Sequence, residues 1–447
     1  MVSLWLDSAP GIPSDAFVPE GAYDTVVVGA GLAGLGTAVL LARAGHQVAV
    51  LDARRTGAVT TGNTTAKVSL LQGRKLSRIL SHHSAHVVRS YAAAQREAQD
   101  WLQAFCTQHD VAFERRDAYS YATTDKGAED LRAELHACTV AGLDVEFLPA
   151  AEELPFPVTA ALKLEHQAQI HPLQVLAALA RELRDLGGIL VEQVRVTDVT
   201  SADAGRRLAV QADVGRLGAD NVVLATGIPF LNRGGHFSVL KAQRSYATAF
   251  RVPGPVPAGM YLSVDGPTRS LRTADYGGGR FLIVGGNGHV VGRKEHPMEQ
   301  FEDLVRWTRG HFPDAELTHT WSAQDYEPAG TLPYVGRLSP ADEAIYTATG
   351  FDKWGMTNSV AAALALTGQI LGAEQEEWAK DLYKVRISPT DAASTVETTA
   401  TGGFQMVAGW AGAMLHGSES PPPEGQGAVH RSHGKPVGVS TVGGVTR

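Results

Sequence analysis

Cysteine is nearly absent from this chain: its 447 residues include two, Cys106 and Cys138. Two isolated thiols cannot form a disulfide framework, and such sparse use fits a reducing compartment. Basic runs are missing as well. The 39 Lys and Arg are scattered and outnumbered by 47 Asp and Glu. The resulting formal charge of −8 leaves no electrostatic footprint for nucleic acid. No apolar run approaches the ~20 residues that cross a bilayer; residues 361–371 and 403–415 read as buried helices at most. The opening Met1-Val-Ser-Leu-Trp-Leu-Asp7 lacks the basic start and apolar core of a secretory signal. A cytoplasmic enzyme without a membrane span is the default expectation. With 44% apolar residues, the chain has core enough for two or three domains.

One stretch stands out against these absences. Thr25-Val-Val-Val28 is a short β-branched run, the pattern of a strand buried on both faces. Gly29, Gly31 and Gly34 follow at G-x-G-x-x-G spacing, then helix-forming residues to Ala44, then a second apolar run ending at Asp52. Asp52 lies 52 − 29 = 23 positions after the first glycine, close to the spacing of about 20 in dinucleotide-binding units. Gly29 permits a tight turn, Gly31 admits a pyrophosphate close to the backbone, and Gly34 lets helix and strand pack. The helix N-terminus presents N–H groups to phosphate, and Asp52 would accept hydrogen bonds from a ribose.

Downstream, Thr56 to Val68 is a loop dense in glycine and hydroxyls, suited to folding closely around a ligand. Residues 76–109 read as one long helix or a broken pair. His82, His83 and His86 lie there without a carboxylate or thiol, so a solvated face outweighs a metal site; no metal is expected. Helices are also expected over 126–141, 173–186 and 297–310, and from about Met356. Strands are expected over 113–123, 143–148, 189–199, 207–212, 221–226 and 346–350, with an antiparallel sheet over 240–292. Gly286-Asn-Gly-His-Val-Val-Gly292 has no acid-tipped strand after it, which rules out a second nucleotide fingerprint. Residues 417–427 read as a linker, and 428–447 as weakly alternating strand.

Two features favour FAD over NAD. A second buried strand ends in Ala225-Thr-Gly227, resembling the strand that passes the cofactor in FAD proteins of the glutathione-reductase type. A glycine turn, Gly350-Phe-Asp-Lys-Trp-Gly355, leads into a small-residue helix whose N-terminus would stabilise negative charge on a reduced flavin. Together with the Thr-Thr-Gly-Asn-Thr-Thr-Ala-Lys67 loop, His171-Pro172 and Pro333-Tyr-Val-Gly336, these motifs resemble the D-amino-acid-oxidase (DAO) family. Ser3-Leu-Trp-Leu-Asp7, Pro267 to Arg272, Gly285 to His289 and Trp321 to Tyr326 are similar to segments of the branch that usually carries a C-terminal Rieske domain. The resemblance spans roughly residues 3–375.

The resemblance implies an α/β fold: a discontinuous FAD-binding Rossmann domain (1–90, 150–235, 325–378), an antiparallel α+β substrate domain (91–149, 236–324) and a tail (379–447). The cofactor would be held by Gly29, Gly31, Leu32, Ala33 and Gly34, and by Asp52, Ala53 and Arg54. The loop would add Thr60, Thr61, Thr64, Thr65 and Ala66. Val194, Ala225, Thr226, Gly227, Gly336, Gly350, Gly355, Met356 and Thr357 complete the set. The implied reaction is oxidation of a C–N bond in a small amine or amino acid, by hydride transfer to flavin N5 with oxygen as reoxidant. Lys67 and Lys353 would tune the flavin or aid oxygen reduction. Arg272 would clamp a substrate carboxylate or form a structural ion pair, and His289 would face the substrate or fill the core.

A Rieske centre needs two Cys and two His ligands, and no cysteine follows Cys138. His416, His430 and His433 cannot hold a cluster unaided, so none is expected. A thioether link to flavin through a C-terminal cysteine is excluded on the same ground, while a histidyl link stays open. Two alternatives remain: an electron-transfer module serving a separate Rieske-type partner, and an inactive FAD-binding remnant.

Overall fold

The structure, a computed structural model, describes residues 1–201, 207–231, 233–292, 297–383, 422, 427–432, 435–442 and 444–446. Two compact units divide the chain, 1–386 and 387–447. The first contains two large sheets. The eight-stranded one has a parallel centre of β1 (Ala22–Val28), β2 (Val48–Leu51), β7 (Ile189–Val191), β10 (Gly215–Gly227) and β17 (Ile345–Thr349). Antiparallel additions are β8 (Val196–Ser201), β9 (Leu208–Ala212) and β16 (Tyr334–Arg337). β1 and β2 are apolar where they pair because both faces are covered, and Val26, Val27, Val48, Ala49, Val50 and Leu51 are fully buried. One face carries α2 (Leu32–Arg43), packed against α6 (Pro172–Asp185) and α9 (Gly355–Leu371). Gly36 allows that approach, since a Cβ there would meet Ala363 at 3.3 Å.

The nine-stranded sheet runs β15 (Glu316–Pro328), β11 (Leu240–Arg251), β14 (Gly279–Val290), β13 (Arg269–Tyr276), β12 (Met260–Ser263), β4 (Phe113–Ala122), β6 (Ala160–Ile170), β3 (Lys67–Val68), with β5 (Glu146–Leu148) paired to β6. It is antiparallel except where β12 meets β4. This corrects two expectations. The sheet is larger than residues 240–292, and β3 and β6 belong to it although both lie in segments assigned to the cofactor domain. Lys67 pairs with Gln169 and Val68 with Ala168, so the loop after Asp52 feeds directly into the second sheet.

α3 (Lys75–His82) and α4 (Ala85–Gln108) are the broken pair allowed for at 76–109; Ser84 caps the second, accepting the Val87 N–H. α5 (Asp125–Val140) covers β4 and β6, and α8 (Pro297–His311) packs on β11 and β14. Short helices α1 (Leu4–Ser8), α7 (His236–Val239) and α10 (Glu377–Leu382) complete the first unit. The second unit includes β18 (Gly427–Ser432), β19 (Lys435–Val442) and β20 (Val445–Thr446). The helix expected at 403–415, most of the linker, His416 and His433 lie outside the described residues. Among the described residues, no helix is long and apolar enough to cross a membrane, and no cluster of three or more His, Cys, Asp or Glu could hold a metal.

Candidate active site

β1 ends in Gly29, whose φ of +109° suits glycine alone and whose Cβ would lie 2.5 Å from the Ala225 carbonyl oxygen. A Cβ on Gly34 would be 1.8 Å from the Gly29 carbonyl oxygen. These two positions bring strand, turn and α2 together. Gly31 caps α2 without a side-chain hydrogen bond, so the first turn is left for an anion apart from Leu32, whose N–H donates to Thr61 Oγ1 at 3.2 Å. Asp52 sits at the tip of β2. Its Oδ2 accepts the Ala30 N–H at 2.7 Å and its Oδ1 the Arg54 N–H at 2.8 Å; burial raises its pKa despite these bonds. The carboxylate thus fixes the glycine turn and retains lone pairs for a ribose.

A single cavity of 780 Å³ runs from this turn to the nine-stranded sheet. Of the residues expected to hold the cofactor, its wall includes Gly29, Gly31, Leu32, Ala33, Asp52, Ala53, Arg54, Thr60, Thr61, Thr64, Thr65, Ala225, Thr226, Gly227, Gly350, Gly355 and Met356. Gly34, Ala66, Val194, Gly336 and Thr357 are absent from the wall. Gly34 shapes the turn from behind. The Val194 N–H bonds the Asp52 carbonyl at 2.9 Å, a Cβ on Gly336 would face the Gln369 amide, and Thr357 is buried against Gln72 and Gln95.

At the far end, Lys67 Nζ is buried and donates to the Tyr261 carbonyl at 2.6 Å and to Ser270 Oγ at 2.7 Å. No described carboxylate pairs with it. Burial first, and Arg272 second, hold its pKa well below the usual lysine range. Lys353 also lines the cavity, just before α9. It and Asp352 have successive left-handed φ values of +70° and +48°, a strained conformation for residues with side chains. Two carboxylates hold this turn. Asp352 is ion-paired with Lys75 at 2.9 Å and Arg78 at 3.4 Å, and Asp325 accepts the Lys353 N–H. Burial raises the Asp325 carboxyl to about 6. Gly288 on β14 lets Lys353 and Ser245 come close, for a Cβ there would lie 2.8 Å from Lys353 Nζ and 3.2 Å from Ser245 Oγ.

The remaining two candidates lie elsewhere. Arg272 is not a substrate clamp. Its Nη1 donates to the carbonyls of Thr65, Ala66 and Ile170 at 2.9, 3.1 and 3.2 Å, and its Nε to that of Thr273 at 3.0 Å. Buried behind the wall, it forms neither a carboxylate clamp nor an ion pair among the described residues. His289 also misses the cavity. Its Nδ1 donates to the Val290 carbonyl at 2.9 Å, so Nε2 accepts the Tyr246 hydroxyl at 3.0 Å. Ser270, Gly285, Gly288 and Asp325 line the wall but were not singled out as sites. Their signal was present only as alternation along strands whose partners the sequence did not identify.

Residues 24–369 match the family model described as DAO, FAD dependent oxidoreductase. The chain belongs to that family. FAD is accordingly its cofactor, and the glycine turn, uncapped α2 and long cavity fit such a dinucleotide. A Bacillus subtilis (strain 168) protein named "Putative Rieske 2Fe-2S iron-sulfur protein YhfW" is 28% identical over 349 residues, covering 77% of this chain and 68% of that protein. Glycine oxidase from Bacillus licheniformis is 24% identical over 376 residues, covering 80% and 95%. Among solved structures, glycine oxidase from Geobacillus kaustophilus superposes with a TM-score of 0.69 at 19% identity, covering 82% of this chain and 100% of that one. L-proline dehydrogenase from P. horikoshii gives a TM-score of 0.66 at 17% identity, covering 81% and 96%. At these identities the superpositions show the DAO-family fold.

Proposed function

We propose that this FAD-dependent oxidoreductase oxidises the C–N bond of a small amine or amino acid, with oxygen as the final acceptor. The observation that carries the reading is the cavity that Lys67 and Lys353 both line, together with Ser245, Ser270, Gly285 and Gly288. Bound FAD supplies the two-electron acceptor. The chain's own residues bind and orient. Lys353 Nζ has no carboxylate within ion-pair distance among the described residues, and it and Ser245 Oγ both lie against Gly288, where a Cβ would meet them at 2.8 and 3.2 Å. A substrate carboxylate placed there receives a charged and a neutral donor. Lys67 lines the same cavity, its Nζ held by the Tyr261 carbonyl and Ser270 Oγ. The names of the fold relatives, glycine oxidase and L-proline dehydrogenase, point to the same substrate class.

The test is anaerobic mixing of the purified holoprotein with a panel of amines and amino acids while flavin absorbance is followed. Bleaching by an amino acid, reversed by air with release of hydrogen peroxide, is the expected result; no bleaching by any member sinks the proposal. Lys353→Met should raise KM for carboxylate substrates about 10- to 100-fold, the loss of a charged hydrogen bond, with a smaller change in kcat. The YhfW likeness favours a second reading, electron transfer to a Rieske-type partner. Bleaching that air does not reverse but an artificial acceptor does would select it.

A further inference from the structure

We propose that Trp5, Trp321 and Arg272, helped by Ser3, are positioning residues that turn the backbone amides of Thr64 and Thr65 into the cavity as a paired donor to the FAD ring. The inference rests on FAD being the cofactor and is independent of the substrate.

Five consecutive carbonyls, from Gly62 to Ala66, each accept from a distant side chain. Ser3 Oγ bonds the Gly62 carbonyl. Trp321 Nε1 bonds that of Asn63 at 2.9 Å, and Trp5 Nε1 that of Thr64 at 2.7 Å. Arg272 Nη1 takes those of Thr65 and Ala66 at 2.9 and 3.1 Å. A peptide group is planar and trans, so its N–H points opposite to its C=O. Pinning the Asn63 carbonyl to Trp321 therefore aims the Thr64 N–H the other way, and pinning the Thr64 carbonyl to Trp5 does the same for the Thr65 N–H. Thr64 and Thr65 both line the cavity. Among the described residues, neither amide has a hydrogen-bond partner, whereas the neighbouring amides of Gly62, Asn63 and Ala66 are all satisfied from within the loop.

The grip is stiff. Trp5 and Trp321 are each only 2% exposed and Arg272 only 1%. The Trp5 ring meets His171 edge-on at 5.0 Å, with the Arg272 guanidinium 5.1 Å above its face. Ala66 adopts φ +55°, an unfavourable conformation for a residue with a Cβ, and Arg272 holds the carbonyls of Ala66 and of the residue before it. Polar atoms are buried on the protein side of the loop so that two donors remain on the ligand side. Fixed donors aimed where negative charge increases favour the more negative state without reorganising. For a flavin, that is the reduced ring.

Trp5→Phe and Trp321→Phe each remove one indole N–H while keeping most of the aromatic bulk. Trp378→Phe is the control: its indole N–H bonds Glu97 at 2.6 Å, in a part of the chain remote in sequence from the loop and absent from the cavity wall. The readouts are the flavin midpoint potential by equilibration with a reference dye, the visible flavin spectrum, and the melting temperature of the holoprotein. Trp5→Phe and Trp321→Phe should each move the reduction equilibrium about tenfold toward oxidised flavin, about 30 mV for a two-electron couple, and perturb the spectrum. Trp378→Phe should lower stability alone. Arg272→Lys keeps the charge but not the fork and should shift the potential in the same direction. If the two loop variants lose stability as the control does while potential and spectrum stay wild-type, the residues are only structural and the proposal is overturned.

Discussion

At the nucleotide end of the cavity, Gly29, Gly34 and Asp52 all belong to one β-α-β unit, and each contact that fixes the turn is a backbone approach or a bond to a backbone amide. At the ring end, the loop of residues 60–67 is gripped by groups 59, 207, 258 and 264 positions away in the chain. The first end is encoded sterically, mostly within one local unit, and has no slack. The second is assembled from three distant segments and shares its load among several hydrogen bonds. A steric site fails at one methyl group, whereas a distributed one loses its alignment by degrees.

The comparison breaks most sharply at Gly34. Gly34→Ala places a methyl where only 1.8 Å separates it from the Gly29 carbonyl oxygen, so FAD affinity should fall more than about 100-fold, about 3 kcal/mol. A variant that purifies with a full complement of flavin would falsify the steric account. Asp52→Ala leaves the Ala30 and Arg54 amides without their acceptor and should weaken FAD binding about 30-fold, or about 2 kcal/mol, as read by titration of the apoprotein.

At the ring end the Asp325 carboxyl gives a pH signature. Its folded pKa, about 6, lies above the ordinary value of 3.8, so the folded state holds a proton that the unfolded state has released. That contribution to stability is complete below the unfolded pKa and is lost as pH rises through about 6. Asp325→Asn has no such loss, and its stability relative to wild type should improve between about pH 5 and pH 7. Parallel denaturation curves at both pH values would dismiss the assignment. The smallest effect should come from Ser3→Ala, which loses the bond to Gly62 and the cap of α1, costing about 1 kcal/mol, with flavin retained.

What could be read in the sequence follows the same division. The glycine turn, Asp52, the Ala225-Thr-Gly227 turn and the Gly350 to Gly355 lead into α9 were all legible, because each depends on neighbours in the chain and on a special backbone conformation. Arg272 was misjudged because its partners are carbonyls of residues 65, 66 and 170, which carry no side-chain signal. Lys67 was placed beside the flavin by its loop, but its burial depends on Tyr261 and Ser270 from two other strands. β6 passed unread, since Ala160–Ile170 mixes buried apolar and buried polar residues and lacks a clean alternation. Gln167 and Gln169 are buried there because they bond the Leu70 amide and the Thr273 carbonyl, partners far away in sequence.

The grip on residues 62–66 also sets an order of manufacture. A ribosome releases Ser3 and Trp5 first, the loop soon after, and Arg272 and Trp321 only once most of the chain has emerged. A nascent chain can complete β1, α2 and β2 early, but it cannot close the loop until Trp321 arrives.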